Sequence, residues 1–561
     1  MSFALPPRAA WSTEPILELE NVAASYYHDE RTLGAPQIRD VNLTLHEGEI
    51  LLVIGRTGAG KTTLLNAMSG AMPHATGGRL DGHVRIVGRD TRDFPPHMLS
   101  DVVGVVGQNP AAGFVSNTVE EELAYSMEQL GLAPEIMLKR VEETLDLLGI
   151  AELRHVPLSE LSGGEQQRVA IGAVLTTRPA LIILDEPTSA LDPNGAEDVL
   201  ATITKLAHDL AMTVVLAEHR IERVLQYVDR VAHVDATGTV RIDSPAAIMK
   251  NSDVAPPLVE LGRLAGWNPL PLSIRRARQQ SPELRKRLFQ QGLVARRIQS
   301  AVKPALVATD IVVDFPAIRA VDNVSLQLNA GEITVLMGRN GCGKSTLLWA
   351  LQGSGKRTHG HVYVDGRDPL SLKPANRRKL VSMVPQNPSD LLYESSVAAE
   401  LDRSDRDSGA FAGTTRDILD SLVPNIASHL HPRDLSEGQK LALALAIQLA
   451  THPDVIFFDE PTRGLDYAAK KALAASFKQL SQQGRALLVV THDVEFAALC
   501  ADRVLFMANG SIIADGPAVD MLASSPAYAP QIAKVTSGLH DPSHWLTVSA
   551  VQTALGGMLE P

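Results

Sequence analysis

Gly55-Arg56-Thr57-Gly58-Ala59-Gly60-Lys61-Thr62-Thr63 returns later in the chain as Gly338-Arg339-Asn340-Gly341-Cys342-Gly343-Lys344-Ser345-Thr346. Each stretch follows a short apolar run (50–54 and 333–337) and precedes a helix-compatible one (63–68 and 346–351). Strand, loop, helix is the context that a phosphate-binding loop requires. Glycines permit backbone shapes that turn successive N–H groups inward, and the helix N-terminus adds partial positive charge, so phosphate oxygens are cradled. Lys61 and Lys344 are expected to reach the β- and γ-phosphates, and Thr62 and Ser345 to offer a hydroxyl to Mg²⁺. A single match could be an ordinary glycine turn; a duplicated match with downstream partners is not.

Those partners recur in the same order, which makes the chain two copies of one unit. Gln108-Asn109-Pro110 returns as Gln386-Asn387-Pro388, Leu161-Ser162-Gly163-Gly164 as Leu435-Ser436-Glu437-Gly438, and Leu184-Asp185-Glu186-Pro187-Thr188 as Phe458-Asp459-Glu460-Pro461-Thr462. Glu218-His219 and Thr491-His492 follow the apolar runs 213–216 and 486–490. The runs 181–184 and 455–458 are wholly apolar, as strands buried on both faces of a parallel sheet should be. Each ends in Asp-Glu, and adjacent carboxylates leaving a hydrophobic strand need a cation and a water. Asp185 and Asp459 are therefore expected to serve Mg²⁺, and Glu186 and Glu460 to orient and deprotonate the attacking water. A helix cap would explain the Asp alone, but not its pairing with a phosphate loop. The matched positions of His219 and His492 suggest γ-phosphate sensors. Gln108 and Gln386 fall in loops after 102–106 and 380–384 and, taken alone, would be surface residues.

The bulk properties fit a folded enzyme. At 561 residues and roughly 150 per domain, three or four domains or two large α/β ones are possible. Apolar residues make up 45% and aromatics 4%, which suits an Ala/Val/Leu-rich α/β core. The longest apolar run, 441–450, falls well short of the roughly 18 residues that cross a bilayer, and the start, with Pro6, Pro7 and Arg8, lacks a signal core. Two cysteines, Cys342 and Cys500, are too few for a disulfide framework and point to a reducing cytoplasm. Net charge of −12 is the wrong sign for a nucleic-acid binder, so no nucleic acid is expected as a partner. The expected division is a first ATPase domain over 1–250, a linker over 251–304, a second domain over 305–535 and a tail over 536–561. The linker's prolines and its clusters Arg275-Arg276-Ala277-Arg278 and Arg285-Lys286-Arg287 read as an exposed, solvated segment with one short helix from Pro282.

With these residues assembled, the chain resembles the ATP-binding cassette superfamily over nearly its whole length, excepting linker and tail. Leu161-Ser162-Gly163-Gly164-Glu165-Gln166-Gln167-Arg168 is similar to that superfamily's signature motif. The resemblance implies an α/β fold of two P-loop cassettes in tandem, each with a mainly parallel sheet core and flanking helices, an antiparallel β part and a helical signature subdomain. It implies ATP and Mg²⁺ as cofactors, and an intramolecular head-to-tail dimer in which each ATP lies between one phosphate loop and the other cassette's signature. The nucleotide would then be held by Gly55, Gly58, Gly60, Lys61, Thr62 and Thr63, by Gly338, Gly341, Gly343, Lys344, Ser345 and Thr346, and by the signature residues Ser162, Gly163, Gly164, Ser436 and Gly438. Tyr26, with Tyr27 as its neighbouring competitor, and Phe315 match the aromatic that stacks on adenine. Glu186, Glu460, His219, His492, Gln108 and Gln386 would be catalytic. Thr62, Gln108, Asp185, Ser345, Gln386 and Asp459 would face the metal. Ser189 to Asp192 and Arg463 to Asp466 match the family's dimer-contact loops.

A finer resemblance, carried by Thr118-Val119-Glu120-Glu121-Glu122-Leu123-Ala124 after Gln108 and by Glu460-Pro461-Thr462-Arg463-Gly464-Leu465-Asp466, is to the ATPases of energy-coupling factor importers of vitamins and metal ions. It implies integral membrane subunits as partners and a place on the cytoplasmic face of the membrane. The rival reading is a soluble tandem cassette ATPase acting on ribosomes, for which the linker arginines up to Arg297 would contact RNA; acidity and the prolines argue against it. A DNA-repair cassette would need a coiled-coil or zinc-bearing insertion. The second signature departs from the pattern at Glu437 and Ala442. A carboxylate within about 4 Å of a phosphate charge costs up to about 4 kcal/mol at an effective dielectric near 20, and little if it points outward. Two unequal sites are expected, the one using Lys344, Asp459, Glu460 and His492 being the more active.

Overall fold

Wholly apolar runs can be strands only where both faces are covered, and that is where the chain puts them. The computed structural model describes residues 14–27, 32–189, 191–290, 304–316, 318–538 and 544–556. The opening segment 1–13, Ala190 of the first dimer-contact loop, and Arg296 and Arg297 lie outside the described residues. The chain divides into two units, Met1–Val254 and Ala255–Pro561.

In the front unit, Leu181–Asp185 lies between Val103–Val106 and Thr213–Ala217, and Ile50–Gly55 between Thr213–Ala217 and Arg230–Val234, all parallel. Val240–Asp243 closes one edge antiparallel. The rear unit repeats the order with Val381–Val384, Val455–Asp459, Ala486–Val490, Ile333–Met337 and Arg503–Ala508, and Ser511–Pro517 antiparallel at its edge. A smaller antiparallel sheet accompanies each: Leu17–Ser25 pairs with Ile38–Leu45 and Arg79–Ile86, and Pro304–Phe315 with Ile318–Asn329 and His359–Val364. One apolar core joins the two sheets in each unit, with Leu64 and Met68 at its centre in front and Leu347 and Leu351 behind, all from the helix that follows the glycine loop. The other face of the rear sheet is sealed by Phe458, Phe477 and Phe496, with ring centroids 4.3 Å and 5.7 Å apart in sequence. Three helices form the signature part of each cassette: Val119–Gln129, Pro134–Leu148 and Gly163–Leu175, then Val397–Ser408, Thr414–Leu422 and Glu437–Leu449. Two tandem α/β cassettes of the expected composition are thus present. Among the described residues, no helix is long and apolar enough to cross a membrane.

Strand register sets the chemistry. Asp185 pairs with Ala217 and Asp459 with Val490, so the residues just beyond each pair of strand ends stand side by side. That brings Glu186 to Glu218-His219, and Glu460 to Thr491-His492.

The segment expected to be an exposed linker is different. Pro257–Leu264, Ile274–Gln280 and Pro282–Gln290 are helices that share a core with Gln531–Thr536 and Val548–Ala554 of the supposed tail. Leu258, Leu261, Leu284 and Leu288 face Ile532, Val535, Val551 and Leu555. The Leu258 amide donates to Gln531 Oε1 at 3.0 Å, and the Arg278 and Arg285 guanidiniums reach the Ser537 carbonyl at 3.4 and 3.3 Å. Two of the arginines read as solvated are therefore structural cross-ties. Pro256, Pro257 and Pro282 sit at helix starts, where the missing N–H costs nothing, and Pro269 and Pro271 lie between helices. Ile532 is fully buried in this core. Ile532→Ala is expected to destabilise the rear unit by about 2–5 kcal/mol, read by denaturant unfolding, with faster amide exchange over 257–264. Unchanged exchange there would mean that the helical core is not formed.

Candidate nucleotide sites

Each glycine loop is built so that its lysine is held in place. Gly60 and Gly343 take φ of 106° and 102° as caps of the following helices, a conformation that side chains resist. A Cβ on Gly343 would stand 2.1 Å from the Ala320 carbonyl oxygen, and one on Gly60 2.8 Å from that of Gln37. The buried Lys61 Nζ donates to the carbonyls of Gly55 and Arg56 at 3.0 and 3.2 Å, and Lys344 Nζ to those of Gly338 and Arg339, both at 2.8 Å. Each ammonium is thus held against the carbonyls of its own glycine loop. Thr62 and Thr63, like Ser345 and Thr346, occupy the first turn of the helix that follows.

The Asp-Glu pairs lie at the matching strand ends. Ser345 hydrogen-bonds Asp459, while Asp459 Oδ1 is buried without a hydrogen-bond partner. Burial, reinforced by Glu186, pushes the Asp185 carboxyl up to about 6, opposed by Lys61. Burial also raises Asp459 to about 6, with Glu460 adding to it and Ser345 and Lys344 opposing. Carboxylates buried in this way gain most from a bound cation. Among the described residues no three His, Cys, Asp or Glu side chains gather as a metal cage. One carboxylate and one hydroxyl on each loop fit Mg²⁺, which keeps waters and takes phosphate oxygens as its remaining ligands.

Glu186 and Glu460 both adopt left-handed backbone, with φ of 52° and 48°. Strain of this kind in a residue with a long side chain gathers at functional sites. It is held by strand-like hydrogen bonds, Glu186 N–H to Ala217 O at 2.9 Å and Glu460 N–H to Val490 O at 2.8 Å. Gln108 Nε2 donates to Glu186 Oε2 at 2.9 Å, and His219 Nε2 lies 2.8 Å from Glu186 Oε1. Burial alone would raise Glu186, but His219 and Lys61 hold it below the ordinary carboxylate range. In the rear cassette His492 Nδ1 lies 2.8 Å from Glu460 Oε2 without hydrogen-bond alignment, and Thr491 Oγ1 donates to the same oxygen at 3.3 Å. Gln386 is exposed in its loop and has no hydrogen bond to Glu460 among the described residues.

Both signature serines cap their helices. Ser162 and Ser436 form capping boxes with Glu165 and Gln439, so Gly163 and Gly164, and Glu437 and Gly438, make up the first turns. Glu437 is 46% exposed and its Oε1 lies 2.9 Å from Lys440 Nζ. Its charge therefore has a cation beside it on its own helix, which offsets part of it. Asp192 and Asp466 cap the helices Pro193–Leu210 and Tyr467–Gln482. Tyr26 is partly buried and packs on the front core, whereas Tyr27 is 53% exposed, close to the 52% of Phe315. Strand register nevertheless matches Tyr26 with Phe315: Leu17, Leu19 and Ala23 face Ile86, Val84 and Asp81 as Leu306, Ala308 and Val312 face Val364, Val362 and His359. Sequence reading missed two features, the left-handed glutamates and the burial of Glu218. Only the latter left a trace, as Glu218 standing where the rear copy has Thr491.

Two phosphate loops, each joined through a parallel sheet to an acid pair and accompanied by a serine-capped helix, define a tandem nucleotide-hydrolysing cassette protein. The sequence profile described as ABC transporter matches residues 38–189 and 321–463, and the chain belongs to that family. It is an ATPase that uses ATP with Mg²⁺. A protein of Streptomyces avermitilis, provisionally named an ABC transporter ATP-binding protein, is 48% identical over 96% of this chain and 100% of its own length. A likewise named protein of Methanosarcina mazei is 32% identical over 91% of this chain and 90% of its own. An archaeal ribosome recycling factor, solved in complex with a ribosomal stalk protein, superposes with a TM-score of 0.57 at 19% identity, covering 89% of this chain and 90% of that one; it shares the fold.

Proposed function

We propose that this chain is the ATP-hydrolysing subunit of an importer of the energy-coupling factor type, taking up a vitamin or metal ion, and that it drives separate integral membrane subunits from the cytoplasmic face. The observation that carries this reading is a pocket of about 160 Å³ lined among others by Arg378, Leu391, Tyr393, Arg403 and Asp407, Leu391 being the last residue of the turn Pro388–Leu391 that follows Gln386. Tyr393, 70% exposed, stands at its mouth with the Arg403 guanidinium 5.1 Å from its ring centre. An exposed ring and paired charges beside a catalytic loop suit a helix end of a partner protein. The long, full-coverage similarity to proteins named for transport supports the same choice. Tyr393→Asp should cut recovery of membrane proteins in detergent by roughly tenfold or more. Recovery of the wild-type chain with ribosomes and without membrane proteins would replace this reading with the translational one.

In the hydrolytic step, Lys61 and Lys344 hold the phosphate chain, and Ser162 and Ser436 present capped helix N-termini to it. Thr62 with Asp185, and Ser345 with Asp459, would hold Mg²⁺, which would supply positive charge against the phosphates. Glu186 and Glu460 take a proton from water, and His219 and His492 fix their carboxylates. By the family's exchange of signatures, Glu437 serves the nucleotide on Lys61, so the rear-cassette residues turn over faster.

A further inference from the structure

Glu218 is a buried acid that the hydrolytic step does not use. It follows the strand Thr213–Ala217 and is 2% exposed. Thr188 Oγ1 donates to its Oε1, and the His219 amide donates to its Oε2 at 3.2 Å. Thr188 belongs to the turn that begins at Glu186, so one carboxyl group fastens both that turn and the backbone of the histidine touching Glu186. The rear cassette makes the same link with hydroxyls: Thr462 Oγ1 lies 3.4 Å from Thr491 Oγ1, which reaches Glu460 directly. A hydroxyl has one charge state in water, a carboxyl two.

We propose that Glu218 is a positioning residue of the front cassette, tying the Glu186 turn to His219, and that loss of its proton loosens this arrangement by setting a second negative charge beside Glu186. The inference rests on reading Glu186 as the base. The groups that face Glu218 are Glu186 and Thr188 on the turn, His219 and Arg220 after the strand, and Glu222 and Arg223 on the helix Ile221–Val224. Burial, then the charge of Glu186, pushes the Glu218 carboxyl up to about 8 against the pull of Arg223 and Arg220. The group is neutral at pH 7 and releases its proton to solvent on the alkaline side. Because its folded value lies above its ordinary one, its contribution to stability is whole at acid pH and is lost as pH climbs to about 8.

Each ATPase comparison is made in the full chain carrying Glu460→Gln, which leaves the front cassette to hydrolyse, with position 218 wild type, Glu218→Gln or Glu218→Ala, or with Glu186→Gln. Activity with wild-type Glu218 should decline through about pH 8, and Glu218→Gln should at least halve that decline while keeping neutral-pH turnover within about twofold. Glu218→Ala should lose front-cassette turnover at every pH. An infrared carboxylic-acid band should fade as pH rises through about 8 and be missing from Glu218→Gln. The melting temperature of Glu218→Gln should exceed that of wild type by a margin that grows between about pH 5 and about pH 8. Identical pH profiles for wild type and Glu218→Gln, a wild-type band that does not titrate, or a constant melting difference overturns the proposal. Full turnover in Glu186→Gln defeats the reading of Glu186 as the base, and the infrared band still reports separately on Glu218.

Discussion

Glu460→Gln is expected to lower steady-state ATP hydrolysis by roughly a hundredfold or more while ATP still binds. Glutamine keeps the size of the side chain and its contacts with Thr491 and the His492 region, but cannot accept a proton. Glu186→Gln should cost less, for two reasons. In the family's exchange of signatures, the one facing the front nucleotide would contain Glu437, whose charge is only partly offset by Lys440. The front base also shares its neighbourhood with the buried Glu218, which has no acidic counterpart at Thr491. Turnover assays on the two single variants decide the order, and a larger loss for Glu186→Gln reverses the assignment.

Gly343→Val should abolish useful nucleotide binding in the rear cassette. The Ala320 carbonyl that a Cβ would meet at 2.1 Å belongs to the strand Ile318–Asn329, which is paired along its length with Pro304–Phe315. That carbonyl cannot move without disturbing the sheet, so the loop moves instead and carries Lys344 and Ser345 with it. A displacement of about 1 Å is enough to cost about a hundredfold. A fluorescent nucleotide titration reads the loss, and near-wild-type affinity in a chain with its rear core intact would show that the loop tolerates a side chain there.

Most of the site could be read from the chain because its chemistry is local in sequence. A phosphate loop needs glycines at fixed steps before a lysine, and an acid pair needs an apolar strand before it, so Lys61, Lys344, Asp185 and Asp459 announced themselves. What stayed hidden depends on partners far along the chain. Leu258 and Leu284 looked like stray apolar residues among prolines and arginines, since Ile532 and Val551, which cover them, lie more than two hundred residues away. The ion pair of Glu437 with Lys440, one helical turn on, is one that spacing allowed but did not require. The choice between Tyr26 and Tyr27 depends on the register of the strand Leu17–Ser25 against Arg79–Ile86, which residue type alone does not fix. Backbone strain at Glu186 and Glu460 leaves no mark on residue type at all.

The helices that precede the second cassette and those that follow it grip one another, so that half of the polypeptide is closed like a clasp at its own two ends. Anyone separating the two halves must therefore cut ahead of Ala255. A break made near residue 304, where the repeat itself begins, would strip the cover from Ile532 and Val535 and leave a fragment prone to stick to its own kind.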